Sequence, residues 1–130
     1  MSVQSCFLLG VLSIVGVFLV GCGEEATNEL WDGALSLDSS WRERLDPAVA
    51  DGSVSQQRAH QTKAEALELT LRMHRDASEG GLRGVLETIK DGERQLANGE
   101  VSGEEADALR EKHEQYWSHL REGQLPPDYQ

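Results

Sequence analysis

Apolar residues recur along this chain at steps of three and four, which is the spacing of one face of an α-helix. Four segments after residue 28 show this spacing. Helices of such length are marginal in isolation, so each apolar face predicts a packing partner. In chain order the apolar positions are Leu30, Ala34, Leu37, Trp41, Leu45 and Ala48; then Ala59, Thr62, Ala66, Leu69, Met73 and Ala77, widened by Leu67 and Leu71; then Leu82, Val85, Leu86, Ile89 and Leu96; and last Ala106, Leu109, His113, Tyr116 and Leu120, with Trp117 beside them.

Two joints between these segments share the same turn chemistry. The phrase ADGSVSQQRA (50–59) returns as ANGEVSGEEA (97–106). A glycine after Asp or Asn ends a helix because it accepts the left-handed backbone conformation. Ser55 and Ser102 then occupy the N-cap positions of the following helices, and Ser102 with Glu105 fits the S-x-x-E capping box.

These patterns predict an all-α fold, a small antiparallel helical bundle that follows an N-terminal signal or anchor segment. Short joints favour antiparallel neighbours, and DASEGGLRG (76–84) supplies the turn between the second and third main helices. Before the three main helices, the sequence predicts a helix over about 39–50 that is kinked or restarts at Asp46-Pro47, with a further helical piece ahead of it. Gly33 and the polar residues 38–40 argue for breaks there.

The first 21 residues contain none of the 23 acidic and 12 basic residues of the chain. An apolar stretch over residues 7–20 has the length of a signal-peptide core and is short for a membrane span. It ends in Leu19-Val20-Gly21-Cys22, which resembles the lipobox of bacterial lipoproteins. The resemblance implies diacylation of the Cys22 thiol, cleavage before that residue with Leu19, Val20 and Gly21 as the recognition residues, and acylation of the new amino terminus. Several acyl chains, such as palmitate, together hold a protein on a bilayer.

An uncut anchor is the alternative, since the positive charges that usually precede a signal core are missing. About 20 residues at 1.5 Å each would just span the hydrocarbon. Both possibilities place the residues after Cys22 outside the cytoplasm. Within the lipoprotein family, Gly23 in place of Asp favours the outer membrane if the host has two. The expected organisation is a signal peptide over 1–21, a lipid-anchored tether over 22–28, a helical domain over 29–122 and a proline-containing tail over 123–130.

The charge of the chain restricts its partners. A net charge of −11 repels nucleic acid and anionic lipid headgroups, so we expect no nucleic-acid partner and a membrane contact only through the lipid anchor. A protein partner or weak self-association is expected, with docking at apolar surface around Trp31 and Trp41. LANGEVSGEEADALREK (96–112) is similar to the SHOCT helical hairpin of bacterial proteins, a resemblance that implies self-association and no catalysis.

The sequence predicts no catalytic residues, metal ligands or cofactor. An EF-hand alignment of the second joint would put Arg94 in the first ligand position, where calcium requires an oxygen. None of the four histidines completes the Glu-x-x-His pattern of di-iron bundles, and His113 and His119 lie six apart on different helix faces. His113 interrupts an apolar face, where a packed bundle histidine is the expected role.

Two classes of function follow from the sequence. The first is an envelope lipoprotein that acts as a non-enzymatic protein-interaction or structural module. The second is a small-ligand-binding or enzymatic helical domain that uses Glu, Asp and His side chains brought together by the fold. Convergence of these side chains in a pocket would favour the second class.

Overall fold

The computed structural model describes residues 22–75 and 80–130, and this part of the chain consists of helices and turns without a strand. The predicted all-α helical bundle is therefore confirmed. The elements are α1 (Cys22–Ser40), a π-helical turn (Trp41–Leu45), α2 (Asp46–Ala50), α3 (Gln56–Met73), α4 (Gly80–Asn98), α5 (Gly103–Arg121) and a 3₁₀ turn (Pro127–Tyr129). Leu19, Val20, Gly21 and the rest of the predicted signal segment lie outside the described residues. No helix in 22–75 or 80–130 combines the length and the apolar character that crossing a bilayer requires.

α3 and α4 form an antiparallel hairpin with the longest helix–helix contact in the described part of the bundle. At one end the Gln57 side-chain amide donates to the Ala97 carbonyl over 2.7 Å. At the other end the Arg83 guanidinium donates to the Leu71 carbonyl over 3.3 Å. Residue numbers therefore rise along one helix as they fall along the other, as the short-joint prediction requires.

α1 and α5 run antiparallel to each other and close the remaining side of the core. The Trp31 indole N–H donates to the Leu120 carbonyl over 3.0 Å. Further along, the rings of Trp41 and Trp117 meet edge to face with centroids 5.8 Å apart, a favourable aromatic geometry. All four long helices contribute to one apolar core, which comprises Leu30, Ala34, Trp41, Leu67, Leu71, Leu82, Val85, Leu86, Ile89, Tyr116, Trp117 and Leu120.

The first helix is continuous where the sequence predicted breaks. Gly33 and residues 38–40 lie inside α1, so the predicted breaks there are wrong. The adjustment for Pro47 comes earlier, in the π-helical turn, where the Asp46 backbone N–H donates to the Trp41 carbonyl. Proline in an α-helix has no N–H and clashes with the preceding turn, and the wider π turn lets the chain continue without a sharp stop. The helical residues Cys22 to Asn28 also fall in the segment expected as a tether.

The buried face of α3 differs from the predicted one. Leu69 and Met73, placed in the predicted stripe, are 55% and 70% exposed. The helix buries Ala59, Leu67 and Leu71 of the predicted stripe, together with Ala64 and His60. The prediction followed apolar identity alone, and it missed a polar residue, His60, that completes the buried face at the same helical spacing.

The repeated joints have the predicted backbone and only one of the two predicted caps. Gly52 and Gly99 have φ of 86° and 73°, so both helix ends use the left-handed region that favours glycine. The Ser55 hydroxyl accepts the Arg58 backbone N–H over 3.1 Å and caps α3. Ser102 stands at the N-cap position of α5, but its side chain makes no capping bond, so the predicted capping box is wrong.

The glycines at the start of α4 lie inside the helix and leave space for the C-terminal tail. α4 begins at Gly80, inside the predicted turn over 76–84. A Cβ at Gly81 would lie 2.6 Å from Leu125 Cδ1, and one at Gly84 would lie 3.2 Å from Tyr129 Cε1. The tail therefore packs on a strip of α4 that has no side chains. The Tyr129 hydroxyl completes the contact with a hydrogen bond to Thr88.

Candidate functional site

The interior of the bundle contains a cluster of one carboxylate and two imidazoles. Glu93 of α4 lies between His60 of α3 and His113 of α5, and the three residues are only 4%, 8% and 4% exposed. His60 Nδ1 lies 2.6 Å from Glu93 Oε1, and His113 Nδ1 lies 3.0 Å from Glu93 Oε2. Each carboxylate oxygen thus has its own imidazole, and the cluster joins three helices. We refer to these three residues as the His–Glu–His cluster.

Local helical spacing brings these polar groups inside. Glu93 follows Ile89 by one helical turn and precedes Leu96 by nearly one, so it lies on the buried face of α4. His113 lies on the buried face of α5, as the apolar spacing of that helix predicted. Gly92 makes room for it, since a Cβ there would lie 2.3 Å from His113 Nε2. The glycine that weakens the middle of α4 is therefore what allows α5 to approach.

The carboxylate of Glu93 is held in its charged form. Burial by itself raises the pKa of Glu93, but the hydrogen bonds from His113 and His60 outweigh this effect and lower the pKa to about 2. Lys63 adds a favourable charge interaction in the same direction. Because the pKa is lower in the folded chain than its ordinary 4.5, Glu93 stabilises the fold above pH 4.5, and that contribution is lost as the pH falls towards 2.

The geometry also assigns the proton on each imidazole. An ionised carboxylate only accepts hydrogen bonds, so both Nδ1 atoms donate to Glu93. The Nε2 atoms of His60 and His113 are buried and have no hydrogen-bond partner among the described residues. A neutral ring with its proton on Nδ1 leaves only a lone pair at Nε2, which is less costly to bury unpaired than an N–H donor carrying positive charge.

Two small cavities adjoin the cluster and share Lys63 and Arg110 in their walls. One of about 120 Å³ is bounded by the cluster itself, Glu114 and Trp117. The other, of about 290 Å³, lies between α2, α3 and α5 and reaches Asp46. The Lys63 ammonium lies 3.7 Å from Asp46 and 5.6 Å from the centre of the Trp41 ring. The cations in these walls already have carboxylate neighbours, because Arg110 also pairs with Asp107.

The cluster is not arranged as a metal centre. Within the described residues, no group of three or more His, Cys, Asp or Glu side chains could hold a metal ion. Both Nδ1 atoms already bond to Glu93, and the two free Nε2 atoms lie at the far sides of their rings. The arrangement can hold protons at defined atoms and can link three helices through one charge.

A second buried carboxylate ties α1 to the end of α5. Asp38 is 4% exposed and accepts two bonds from Arg121, with Nε–Oδ2 at 2.7 Å and Nη2–Oδ1 at 3.0 Å. Arg42 adds a third bond over 3.1 Å. The bonds to Asp38 and then to Glu114 raise the pKa of Arg121 above its ordinary value. This bidentate pair aligns the two helices.

The proposed docking residues are placed differently from the expectation. Trp41 is 7% exposed and packs against Trp117, so the expected uncovered surface around Trp41 is wrong for this structure. Trp31 is half-buried, and its indole N–H is already bonded within the bundle. Both tryptophans contact α5, Trp41 through the ring of Trp117 and Trp31 through the Leu120 carbonyl. Cys22 is the first residue of α1, and its side chain lies outside the described part.

Sequence reasoning noticed His113 and missed His60 and Glu93. The available signal was that each of these polar residues stands where the three-four spacing of its helix requires an apolar one. Ala64 and Leu67 follow His60 at steps of four and three, and Glu93 continues the face of Ile89. A polar residue at such a position in three consecutive helices indicates a shared buried cluster, although spacing alone does not show which helices face each other.

The chain was compared with known proteins in three ways. No protein-family model matches it, and neither a curated protein nor a solved structure shows significant similarity to it.

Proposed function

We propose that this chain is a membrane-anchored envelope lipoprotein whose helical domain acts as a non-enzymatic protein-interaction or structural module. The observation that carries the proposal is the Leu19-Val20-Gly21-Cys22 sequence at the end of an uncharged apolar segment. A thiol is the nucleophile that lipidation requires, and small neighbours let a protease approach the backbone. The lipid-anchored chain faces the periplasm or the exterior, at the outer membrane if the host has two.

The interior of the bundle supports a binding or structural role. The Nε2 atoms of His60 and His113 are the groups that would act as bases, and both are closed off from solvent. A general base must come within hydrogen-bond reach of the proton it removes. In this structure the bundle would have to open before a substrate could reach either atom.

Lipidation of Cys22 is tested by labelling. A bacterial host that expresses the full chain is fed labelled palmitate, and the mature mass is measured. The wild type should take up label, whereas Cys22→Ala should take up none and keep its precursor mass. Cys6→Ala is the matched control, because it removes the other cysteine of the same segment and should still be labelled. Equal labelling of wild type and Cys22→Ala would refute the lipobox and leave the uncut anchor.

The interaction role needs its own experiment. Crosslinking in the native membrane followed by mass spectrometry should recover a defined protein partner or a second copy of this chain. Crosslinks that join the chain to no protein reproducibly would contradict an interaction module. The helical domain would then be assigned a structural role alone.

The alternative is a small-ligand-binding or enzymatic domain, and one observation favours it. Glu93, His60 and His113 do converge, and they border a cavity of about 120 Å³ with Lys63 and Arg110 in its wall. Thermal melts with zinc, calcium and inorganic phosphate distinguish the two functions, since a ligand that binds the folded state raises the melting temperature. The interaction module predicts no shift with any of the three. A concentration-dependent shift that His60→Asn removes would support the alternative.

A further inference from the structure

The His–Glu–His cluster contains two imidazoles and only one carboxylate to compensate their charge when they are protonated. Histidine is the side chain whose charge most readily changes between pH 5 and 8. With both imidazoles neutral, the cluster carries only the charge of the Glu93 carboxylate. A first added proton gives an ion pair with Glu93. A second gives a buried cluster with one positive charge in excess, which a low-dielectric interior strongly disfavours.

Charged groups from four elements surround the cluster, and they supply no further unpaired negative charge to compensate a second protonated imidazole. In order they are Asp46 of α2, Lys63 of α3, Glu93 of α4, and Arg110 with Glu114 of α5. Asp46 is already paired with Lys63, and Glu114 is paired with Arg121 at the surface. Glu93, whose pKa lies at about 2, stays charged throughout and supplies one compensating charge only.

Protonation also creates buried donors without acceptors. Each imidazolium carries an N–H at Nε2, and neither Nε2 has a partner among the described residues. For His113 the closest surroundings are the backbone of Gly92, where an added Cβ would lie within 2.3 Å. An unpaired buried donor of this kind destabilises the closed bundle, and more strongly when it is charged.

Of the three helices that the cluster joins, α5 has the smallest contact with the others, and its separation also breaks the Asp38–Arg121 pair to α1. α3 and α4 are joined in one hairpin with an extensive contact, whereas α5 has a much smaller contact with α4. His113 lies at the centre of that smaller contact, directly over Gly92. Separating α5 gives the imidazole of His113 access to water, which removes both the excess charge and the unpaired donor from the interior.

We propose that the His–Glu–His cluster is an acid-sensitive latch, in which protonation of both imidazoles releases α5 from the α3–α4 hairpin and uncovers the tryptophans that α5 covers. The latch is independent of the lipid anchor. Its consequence for binding is specific, because the Trp41 ring packs edge to face against Trp117 of α5. Release of α5 would expose the apolar surface that the closed bundle hides.

Tryptophan fluorescence of the full chain in detergent micelles tests the latch. All three tryptophans of the sequence lie where α1 meets α5, so release should move their emission to longer wavelength. The titration runs from pH 8 to pH 5, above the window in which Glu93 itself takes up a proton. The wild type should show one transition in this range with a proton coupling that approaches two. Hydrogen exchange should report loss of protection in α5 before α3 and α4.

Asparagine variants separate the latch from a purely structural cluster. Asn places an amide nitrogen close to the position of Nδ1 and can donate to Glu93, but it does not become charged. His60→Asn and His113→Asn should each reduce the proton coupling of the transition by about one, and the double variant should show no transition. His74→Asn is the control outside the cluster and should titrate as the wild type does.

Two results would overturn the proposal. Wild-type emission and α5 exchange that stay constant from pH 8 to pH 5 would show that the cluster holds in both charge states. A double variant that keeps the wild-type transition would assign the protons to other groups. If the double variant is unfolded by circular dichroism at pH 8, the decision rests on the wild type, whose His60 and His113 ring signals must titrate together with α5 exchange.

Discussion

Replacing Gly92 with alanine tests the position of the His113 ring, and the same change at Gly33 is its control. Both glycines lie inside helices, where alanine is normally favoured over glycine by about 0.5–1 kcal/mol. Their surroundings differ. At Gly33 an added Cβ would lie 3.7 Å from Thr70 Cγ2, which is ordinary contact. At Gly92 it would lie 2.3 Å and 2.6 Å from His113 Nε2 and Cε1.

Relieving the overlap at Gly92 would lower the free energy of unfolding substantially. The His113 ring is fixed on its other side by the 3.0 Å bond to Glu93, so moving the ring breaks a hydrogen bond to a buried carboxylate. Overpacking costs about 1–3 kcal/mol, and a bond to a charged group contributes about 1.5–3 kcal/mol. After subtracting the helical gain of alanine, Gly92→Ala should lower the free energy of unfolding by about 2 kcal/mol or more.

The two substitutions should therefore have opposite signs. Urea unfolding followed by circular dichroism gives the free energy of unfolding for each variant. Gly33→Ala should raise it by about 0.5–1 kcal/mol, and a change of 1 kcal/mol shifts the melting temperature of a domain of this size by roughly 4–8 °C. A Gly92→Ala protein as stable as Gly33→Ala would refute the placement of His113 over α4. A destabilised Gly33→Ala protein would show that α1 does not continue as a helix through this residue.

Three further measurements address other contacts by urea unfolding. Ser55→Ala should lower the free energy of unfolding by about 1 kcal/mol because it removes an N-cap bond. Ser102→Ala should change it by only a few tenths of a kcal/mol because the Ser102 side chain makes no such bond. Equal effects of the two substitutions would contradict the two cap geometries. Asp38→Ala should cost about 2–4 kcal/mol, since it leaves the partly buried Arg121 without its bidentate partner, and a neutral result would show that the pair is solvated. Tyr129→Phe should cost about 1 kcal/mol through the lost hydroxyl bond, and no loss would indicate that the tail does not pack on α4.

The sequence determined the secondary structure of most of the chain. The three-four spacing predicted helices, Gly52 and Gly99 marked two helix ends, and the predicted apolar positions of α4, Leu82, Val85, Leu86, Ile89 and Leu96, are all buried. These features depend on residues close in the chain, through backbone conformation and helix periodicity, so a local pattern is sufficient to reveal them. The resemblance of Leu19-Val20-Gly21-Cys22 to a lipobox is also local, since a short motif beside an apolar segment carries it, and lipidation of Cys22 stays a prediction.

Only the tertiary structure decided the role of the residues that interrupt the apolar spacing of the helices. Glycines 33, 81, 84 and 92 look alike in the sequence as helix breakers, yet three of them receive a side chain from elsewhere in the chain and Gly33 simply continues a helix. The same holds for the buried face of α3, which includes His60 and leaves Leu69 and Met73 exposed. The side chain that fills the space beside each of these three glycines comes from a residue more than 20 positions away in the sequence.

The His–Glu–His cluster shows the physical reason. Each of its members is unfavourable in an apolar interior by itself, and each becomes acceptable only because the other two satisfy it. His60 and Glu93 are 33 residues apart, and His113 and Glu93 are 20 apart. Helical spacing shows that each residue points inwards, but the hydrogen bonds that stabilise the cluster exist only once α3, α4 and α5 have packed together.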